Sequence, residues 1–393
     1  MQSPRPVLLV VGSTFPAGAH DGTPAFIRDL SEELAKAFDV TVLVPRVPRA
    51  APNEEFGRLH IVRFAYFLRR WEDLADGAII ENLRSKRSRW IQVPFFFVCE
   101  FIAMRRLVRR LKPAAMHVHW MIPQGIVASL AARRTPQLVT TLGGDVYALR
   151  DPVSRRLKSR VLRRASAVTT MNSDMRNRLI ELGAAAESTR ILPMGAQIDE
   201  MERFRGSARE STRMLFVGRL VEKKGAAVLI DALGLLTRES DWSLDIVGDG
   251  PLRAELEARA RPFGGRVRFL GQAGKEVLGQ QYATCAMLVM PSVSAASGDQ
   301  DGLPVTLLEA MALECPVVAS DLPGIDDALD HGSAGLLVEP NAPSALASAL
   351  TLMLNDPALR ARYGVAAGAR SERYSVQSIG AEYTALLQQI ARL

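Results

Sequence analysis

Short apolar runs recur along the chain and alternate with segments in which apolar residues return every three or four positions. Each run is rich in Val, Ile, Leu and Met and ends at Gly, Pro or a polar residue. Runs of this kind predict strands buried on both faces, and the intervening pattern predicts helices. The predicted strands lie at 7–11, 40–44, 116–119, 138–141, 167–171, 191–192, 214–217, 244–247, 267–270, 287–290, 317–319 and 336–338.

The predicted strands and helices form two successive series, which indicates two domains with parallel sheets. A chain of 393 residues is also longer than one typical hydrophobic core requires. We therefore predict an α/β protein of two doubly wound, Rossmann-like domains, residues 1–200 and 201–375, facing each other across a cleft. The polar segment 196–212 is the expected linker, and a last helix within 376–393 is expected to cross back onto the first domain.

Charge is distributed unevenly between the two halves of the chain. Residues 1–190 hold 30 Lys and Arg against 17 Asp and Glu, whereas the remainder holds 19 against 25. The densest basic run, 84–112, also contains Trp90 and four phenylalanines, a mixture that can lie on an anionic membrane surface. A buried helix with solvated basic edges is the alternative. Nucleic-acid binding is not expected, because no recognition motif accompanies the charge.

Neither the apolar stretches nor the cysteines indicate a membrane-spanning or disulfide-bonded protein. The most apolar stretch, 93–104, is too short to cross a bilayer and contains Glu100. Cys99, Cys285 and Cys315 form no CxxC pair and no metal-ligand cluster. We expect a cytoplasmic protein with free thiols, possessing no metal site and no cofactor.

Glycines, basic residues and carboxylates follow the predicted strands directly, at the strand ends where open α/β sheets bind ligands. Gly12 opens a loop after the first strand, but this loop lacks the dinucleotide spacing, so no nicotinamide site is expected. His119 ends the third predicted strand, and Asp145 follows the fourth. In the second series, the glycine-containing loops 218–225 and 248–251 follow the first two strands. Together these residues outline a site for a phosphorylated ligand.

The segment 301–312 is the most informative in the chain. It places Asp301 and Glu309 eight positions apart, across a turn and the start of a helix. Pro304 suits the first position of that helix, whose N-terminus would favour a diphosphate; an ordinary capped helix is the alternative. Apolar residues at helical spacing are expected to face a core, namely Val305, Leu308, Met311 and Ala312.

The order and spacing of these motifs resemble the retaining GT-B glycosyltransferases of family 4. In the second half, the resemblance to the donor domain of that family rests on 217–225, 248–251, 291–292 and 301–312. In the first half it is looser, and rests on 117–120, 143–145, 172–173 and 193–195. It covers nearly the whole chain. It implies a nucleotide-sugar donor bound mainly by the second domain and an acceptor bound mainly by the first.

The resemblance also implies roles for single residues. Arg219 and Lys224 would neutralise the donor diphosphate, and Glu309 would accept the ribose hydroxyl groups. The catalytic positions would be Asp301, His119 and Asp145. The other donor-binding positions would be Gly12, Gly250, Gly302, Leu303, Pro304 and Val305.

Neighbours of these residues are expected to have lesser roles. Lys223 is expected to face solvent. His117 is expected to lie on the strand face opposite His119 and to be structural. The tripeptide 299–301 also fits the metal-binding DxD pattern of the other major glycosyltransferase fold, which we interpret as a coincidence.

Two positions depart from the family pattern. Asp301 stands where the family has Glu, which is one methylene longer. Leu142 stands where the family commonly has His, and leucine cannot polarise a hydroxyl group. With leucine at position 142, His119 and Asp145 are the polar groups available in the first domain.

The sequence therefore predicts metal-independent transfer of a sugar, with retention, from a nucleotide-sugar donor. The expected acceptor is a glycan or a lipid-linked saccharide, as in cell-surface polysaccharide assembly, and the enzyme would contact the cytosolic membrane face through its basic half. The alternatives are a GT-B transferase that makes a small soluble metabolite, a nucleotide-sugar epimerase, and a non-catalytic donor-binding module.

Overall fold

The computed structural model describes residues 5–18, 23, 25–77, 79–236, 241–296, 298 and 300–393. The chain forms two compact units. Unit 1 comprises Met1–Gly195 and Val376–Leu393, and unit 2 comprises Ala196–Ser375. Which ligand each unit binds stays a prediction.

The described part of unit 1 forms an eight-stranded sheet in the order β3-β4-β2-β1-β5-β6-β7-β8. The strands are β1 (Val7–Val11), β2 (Asp39–Pro45), β3 (Asn53–Phe56), β4 (Leu59–Phe64), β5 (Ala115–His119), β6 (Gln137–Thr140), β7 (Ala167–Thr170) and β8 (Thr189–Ile191). The helices that precede unit 2 are α1 (Phe26–Leu34), α2 (Ile79–Ser85), α3 (Gln92–Leu111), α4 (Ile126–Ala131), α5 (Gly144–Tyr147), α6 (Pro152–Arg164) and α7 (Ser173–Glu181).

Unit 2 contains a six-stranded sheet in the order β11-β10-β9-β12-β13-β14. The strands are β9 (Arg213–Val217), β10 (Ser243–Val247), β11 (Val267–Gly271), β12 (Met287–Met290), β13 (Val317–Ser320) and β14 (Leu336–Val338). The helices are α8 (Ala226–Leu233), α9 (Arg253–Ala260), α10 (Lys275–Thr284), α11 (Val305–Ala312), α12 (Pro323–Ala328), α13 (Pro343–Asn355) and α14 (Pro357–Ser371); a last helix, α15 (Val376–Ala391), belongs to unit 1.

Both sheets are doubly wound, as predicted. In unit 2, alternate residues of each strand enter two separate cores: Leu215 packs with α10, α11 and α12, whereas Met214 packs with α8, α9 and α13. The strand order reverses beside the first strand of each unit, because β1 lies between β2 and β5 and β9 lies between β10 and β12. Doubly wound sheets bind ligands at this switch point. The loops after β1, β5, β9 and β12 are therefore the places where a site is expected.

Every predicted strand is present, with bounds that differ by at most two residues, but β3 and β4 were not predicted. The sequence of β3, Asn-Glu-Glu-Phe, carries no apolar run, and the strand pairs antiparallel with β4 at the edge of the sheet. An edge strand needs no buried faces, so its sequence carries little signal. The unit 1 sheet is thus parallel except at this edge.

The segment 196–212 is not an extended linker. Ile198 and Met201 are buried in the core of unit 2, and Arg209 donates hydrogen bonds to the carbonyl groups of Tyr282 and Leu313. Because many charged residues surround these two apolar side chains, the sequence pattern did not indicate their burial.

Among the residues that the structure describes, none of the helices combines the length and the apolar character that a membrane crossing requires.

Helix α15 contributes a buried tyrosine to unit 1. The Tyr383 hydroxyl donates to the carbonyl oxygen of Leu192 at 2.9 Å, and it lies 3.1 Å from the Thr169 hydroxyl. Gly380 lets the same helix approach Glu33, since an added Cβ would lie 2.7 Å from the Cβ of Glu33. The last helix is therefore attached to unit 1 by specific polar contacts with β7 and with the residue that follows β8.

We expect Tyr383→Phe to lower the free energy of unfolding by about 1–2 kcal/mol, because the Leu192 carbonyl loses its donor in a dry interior. Urea denaturation followed by circular dichroism measures this difference. Tyr363→Phe removes the same atom from a partly exposed side chain of unit 2 and should change stability by less than about 0.5 kcal/mol. Equal effects of the two substitutions would show that the buried hydrogen bonds do not stabilise unit 1.

Candidate active site

Glycines bring three loops into contact at the carboxyl edge of the unit 2 sheet. Gly225 has φ +67°, and a Cβ there would lie 1.7 Å from the carbonyl oxygen of Pro291. Gly248 has φ +141°, and a Cβ there would lie 1.9 Å from the carbonyl oxygen of Gly218. A Cβ on Gly250, in the loop after β10, would lie 2.5 Å from a backbone oxygen of the loop after β9. No other residue fits these positions, so the loops after β9, β10 and β12 pack backbone against backbone.

Hydrogen bonds join the loop after β9 to the loop after β12. The N–H of Val293 donates to the carbonyl oxygen of Lys223 at 2.9 Å, and the N–H of Ala296 donates to the Glu222 carboxylate at 2.8 Å. These two loops flank the switch point between β9 and β12. Side chains that project from them are consequently held in one neighbourhood.

Asp301 lies between two lysines in this neighbourhood. Lys224 Nζ is 2.7 Å from Oδ2 of Asp301, Lys223 Nζ is 3.6 Å from Oδ1, and the Ser292 hydroxyl is 3.4 Å from Oδ2. The side chain of Asp301 is 10% exposed, and those of Lys224 and Lys223 are 17% and 27% exposed. Arg219, in the same loop, is exposed.

The prediction that Lys223 faces solvent is wrong. Residues Glu222–Lys224 form a turn of 3-10 helix, and within this tight turn both lysine side chains reach the same carboxylate. The site therefore contains one cation more than the sequence analysis assigned to it. Asp301 and Lys224 were given separate roles, yet they form one ion pair.

Helix α11 begins at the edge of this cluster, one residue later than predicted. Pro304 is extended, with φ −71° and ψ 126°, and caps the helix, so that Val305 is the first helical residue. Leu308, Met311 and Ala312 are buried as predicted, but Val305 is 42% exposed. Positions four apart share a helix face. Val305 therefore lies on the face of Glu309 rather than on the core face.

Glu309 is partly buried beside a tyrosine that sequence analysis missed. The hydroxyl of Tyr282, on α10, donates to Oε2 of Glu309 at 3.2 Å. Burial raises the pKa of Glu309 to about 7, although Tyr282 and Lys275 act in the opposite direction. The side chain thus exchanges its proton near neutral pH. It can accept hydrogen bonds from a ligand when it is ionised.

In unit 1, Gly12 and His119 lie at the corresponding switch point between β1 and β5. A Cβ on Gly12 would lie 2.8 Å from the side chain of Ile27 and 3.7 Å from the ring of Trp120. His119 is 1% exposed, and its ring nitrogens have no hydrogen-bond partner within the described residues. Burial, assisted by His117, holds the pKa of His119 well below its ordinary value. The ring is therefore neutral.

The prediction that His117 and His119 face opposite sides of the strand is wrong. Residues two apart in a strand share a face, and the two ring centroids lie 4.2 Å apart. His117 Nε2 is 2.8 Å from the Thr140 hydroxyl, and burial lowers the pKa of His117 to about 3. The two histidines form one neutral, buried pair.

Asp145 holds together the loops that follow β5 and β6. Its Oδ2 accepts the N–H of Met121 at 3.0 Å, and its Oδ1 accepts the N–H of Leu142 at 3.1 Å. Burial raises the pKa of Asp145, and these hydrogen bonds together with Lys158 oppose the increase. The backbone of Leu142 is thus part of this arrangement even though its side chain departs from the family pattern. The catalytic role of Asp145 stays a prediction.

The acidic tripeptide 299–301 falls partly outside the described residues, because Asp299 is not among them. Over the rest of the chain that the structure describes, His, Cys, Asp and Glu side chains form no cluster of three that could hold a metal ion. Whether the reaction requires a metal stays a prediction.

Two doubly wound α/β units are the architecture of the GT-B fold, to which many glycosyltransferases belong. Two family models match the chain. The model described as "Glycosyl transferase 4-like domain" matches residues 21–195, and the one described as "Glycosyl transferases group 1" matches residues 211–356. The chain belongs to the group 1 glycosyltransferases of family 4.

Two curated relatives are named for the biosynthesis of a polysaccharide. The amylovoran biosynthesis glycosyltransferase AmsK of Erwinia amylovora is 31% identical over 221 residues, which are 55% of this chain and 54% of that protein. The putative teichuronic acid biosynthesis glycosyltransferase TuaC of Bacillus subtilis is 25% identical over 362 residues, which are 88% of each chain. The chain thus spans about half the length of the first relative and most of the second.

Solved structures share the fold over almost the full chain. Sucrose-phosphate synthase from Thermosynechococcus elongatus has a TM-score of 0.77 at 22% identity, covering 98% of this chain and 99% of that one. Anabaena HepE, solved in complex with UDP and glucose, has a TM-score of 0.71 at 18% identity, covering 98% and 100%. At these identities the likeness concerns the fold alone.

The raised pKa of Glu309 makes stability depend on pH. The folded state binds this proton up to a pKa of about 7, against an ordinary value of 4.5. The stabilisation is therefore complete below pH 4.5 and is lost as the pH rises through 7. We expect Glu309→Gln, which mimics the protonated form, to be more stable than wild type at pH 8 by at most about 3 kcal/mol, and similar at pH 4.5.

Chemical denaturation of both proteins at pH 4.5, 6 and 8 measures this difference. Glu255→Gln, at an exposed position of α9, is the matched control for the removal of one glutamate carboxylate. A difference between Glu309→Gln and wild type that stays constant from pH 4.5 to 8 would contradict the assignment.

Proposed function

We propose that this protein is a retaining, metal-independent glycosyltransferase that uses a nucleotide-sugar donor. Unit 2 holds the donor and unit 1 holds a glycan or lipid-linked acceptor, as in cell-surface polysaccharide assembly. The observation that carries this proposal is the pair of Lys223 and Lys224 beside Asp301 at the unit 2 switch point. Arg219 is exposed in the same loop, and α11 begins four residues after Asp301. The relatives named for amylovoran and teichuronic acid biosynthesis, and the UDP bound to Anabaena HepE, support the same assignment.

The cationic cluster suits a diphosphate for electrostatic and geometric reasons. Two lysine ammonium groups and an arginine fork can contact several phosphate oxygens at once. The positive end of the α11 dipole adds to the field at this position. Glu309, four residues into the helix, would receive the ribose hydroxyl groups in its ionised form.

Catalysis would rest on positioning and charge stabilisation. No nucleophile–base pair with the usual spacing is recognisable in the sequence. The acceptor hydroxyl would instead attack the sugar from the side on which the phosphate leaves, and a phosphate oxygen of the donor would take its proton. The lysines and Arg219 would stabilise the negative charge that develops on the departing nucleotide. We place His119 and Asp145 near the acceptor. His119 would present a neutral ring there, and Asp145 would hold together the loops that follow β5 and β6.

Helix α3 supplies the surface for contact with a membrane. Phe95, Val98 and Ile102 project from one face and are 50%, 56% and 41% exposed. Trp90, just before the helix, is exposed as well. Towards its C-terminal end the helix carries exposed arginines, such as Arg106. Apolar side chains beside basic ones fit the interface of an anionic membrane. A lipid-linked acceptor at the cytosolic face would then be within reach of unit 1.

A thermal-shift screen tests donor binding. We expect one of UDP, GDP or ADP, or one of their sugar conjugates, to raise the melting temperature in the presence of EDTA, because the ligand binds only the native state. Ligand at a hundred times its Kd contributes about 2.7 kcal/mol. Glu309→Ala should lose most of that shift, and Glu255→Ala should retain it. No shift with any nucleotide, with EDTA or with added Mg²⁺ or Mn²⁺, would remove the main support for a transferase.

Cosedimentation with vesicles tests membrane contact. We expect binding to vesicles that contain phosphatidylglycerol at low salt and none to pure phosphatidylcholine, because the surface charge is required. Val98→Asp should weaken binding by about tenfold, since it places a charge in the apolar face. Val365→Asp, at an exposed valine on α14 of unit 2, is the matched control. Retained binding by Val98→Asp would exclude helix α3 as the contact surface.

A further inference from the structure

Asp301 occupies the position that an anionic ligand of this site would take. Its two carboxylate oxygens approach different lysines, Oδ2 at 2.7 Å from Lys224 Nζ and Oδ1 at 3.6 Å from Lys223 Nζ. The Ser292 hydroxyl lies 3.4 Å from Oδ2. The carboxylate therefore already pairs with the two ammonium groups that suit a diphosphate, and it offsets one of their two positive charges.

The loop that carries the two lysines is held firmly against the loop after β12. Contact between Gly225 and Pro291, together with the hydrogen bond from Val293 to Lys223, fixes the two loops against each other. The two lysines are thus held in one place, where both ammonium groups lie beside the carboxylate of Asp301. Any phosphate that enters must share the lysines with Asp301 or displace it.

We propose that Asp301 is the resident counter-anion of a two-lysine phosphate site, and that binding of the donor diphosphate exchanges it for phosphate oxygens. Lys223 is then a second phosphate-binding lysine beside Lys224. This inference rests on the proposed function, since it assumes that the ligand of unit 2 carries a diphosphate. Asp301 acts here as a positioning residue that competes with the ligand, rather than as a catalytic residue.

The exchange has a definite energetic consequence. A diphosphate carries more charge and more acceptor oxygens than one carboxylate, so it gains more from the two lysines. Part of that gain is offset by the loss of the ion pairs with Asp301. The site therefore binds a diphosphate less tightly than it would without this carboxylate. Removing the carboxylate charge eliminates this competition for the two ammonium groups.

Isothermal titration calorimetry with two probes tests the proposal. The probes are inorganic pyrophosphate and the nucleoside diphosphate with the largest thermal shift, or UDP where none shifts, and the proteins are wild type, Asp301→Asn, Lys223→Met and Lys224→Met. Asp231→Asn is the matched control, because it removes one charge from an exposed ion pair with Arg259 at 2.6 Å, elsewhere in unit 2.

We expect Asp301→Asn to lower the Kd for both probes by at least about threefold, the scale of a modest ion pair. Lys223→Met and Lys224→Met should raise the Kd for both, and Asp231→Asn should leave it unchanged. A gain of affinity cannot arise from misfolding, so the expected result distinguishes competition from structural damage.

Other results separate this inference from the proposed function. Nucleotide binding that Asp301→Asn weakens or leaves unchanged would overturn the counter-anion role while the proposed function stands. Tighter pyrophosphate binding by Asp301→Asn, without nucleotide binding by any variant, would support the counter-anion role and contradict the proposed function. Binding of neither probe by any protein would overturn both.

Discussion

The contact between Gly225 and Pro291 determines the chemistry of unit 2. A Cβ at position 225 would lie 1.7 Å from the Pro291 carbonyl oxygen, so only glycine allows the loops after β9 and β12 to meet. Because they meet, Lys224 from one loop reaches Asp301 from the segment that follows the other. The segment that follows β12 also leads to the start of α11 at Val305. A steric constraint on one backbone atom thus gathers the cations, the carboxylate and the helix N-terminus at the switch point of the sheet.

Much of this arrangement could be predicted from sequence, because it depends on local patterns. Continuous apolar runs identify parallel strands, and the residues that follow them must lie at one edge of the sheet. The burial of Leu308 and Met311 follows in the same way from helical spacing. The strand β3 lies beyond this reasoning, because a polar edge strand is specified by its partner β4 and not by its own composition.

The remaining features depend on contacts between residues far apart in the chain. Tyr282 and Glu309 are separated by 27 positions, and nothing near either residue indicates the hydrogen bond between them. The side on which Val305 lies depends on where α11 begins, and helix boundaries are weakly encoded in sequence. The error on His117 and His119 was of another kind, since the two-residue period of a strand already places both rings on one face.

The two switch points differ in electrostatic character, and this difference bears on which ligand each unit would bind. In unit 1, Asp145 has backbone partners for both oxygens, and His119 is neutral and buried. In unit 2, Lys223 and Lys224 retain partial exposure and share a single carboxylate. Of the two switch points, the one in unit 2 thus offers formal positive charge to a ligand. This agrees with a diphosphate donor there, and with an acceptor in unit 1 that is recognised by shape and neutral hydrogen bonds.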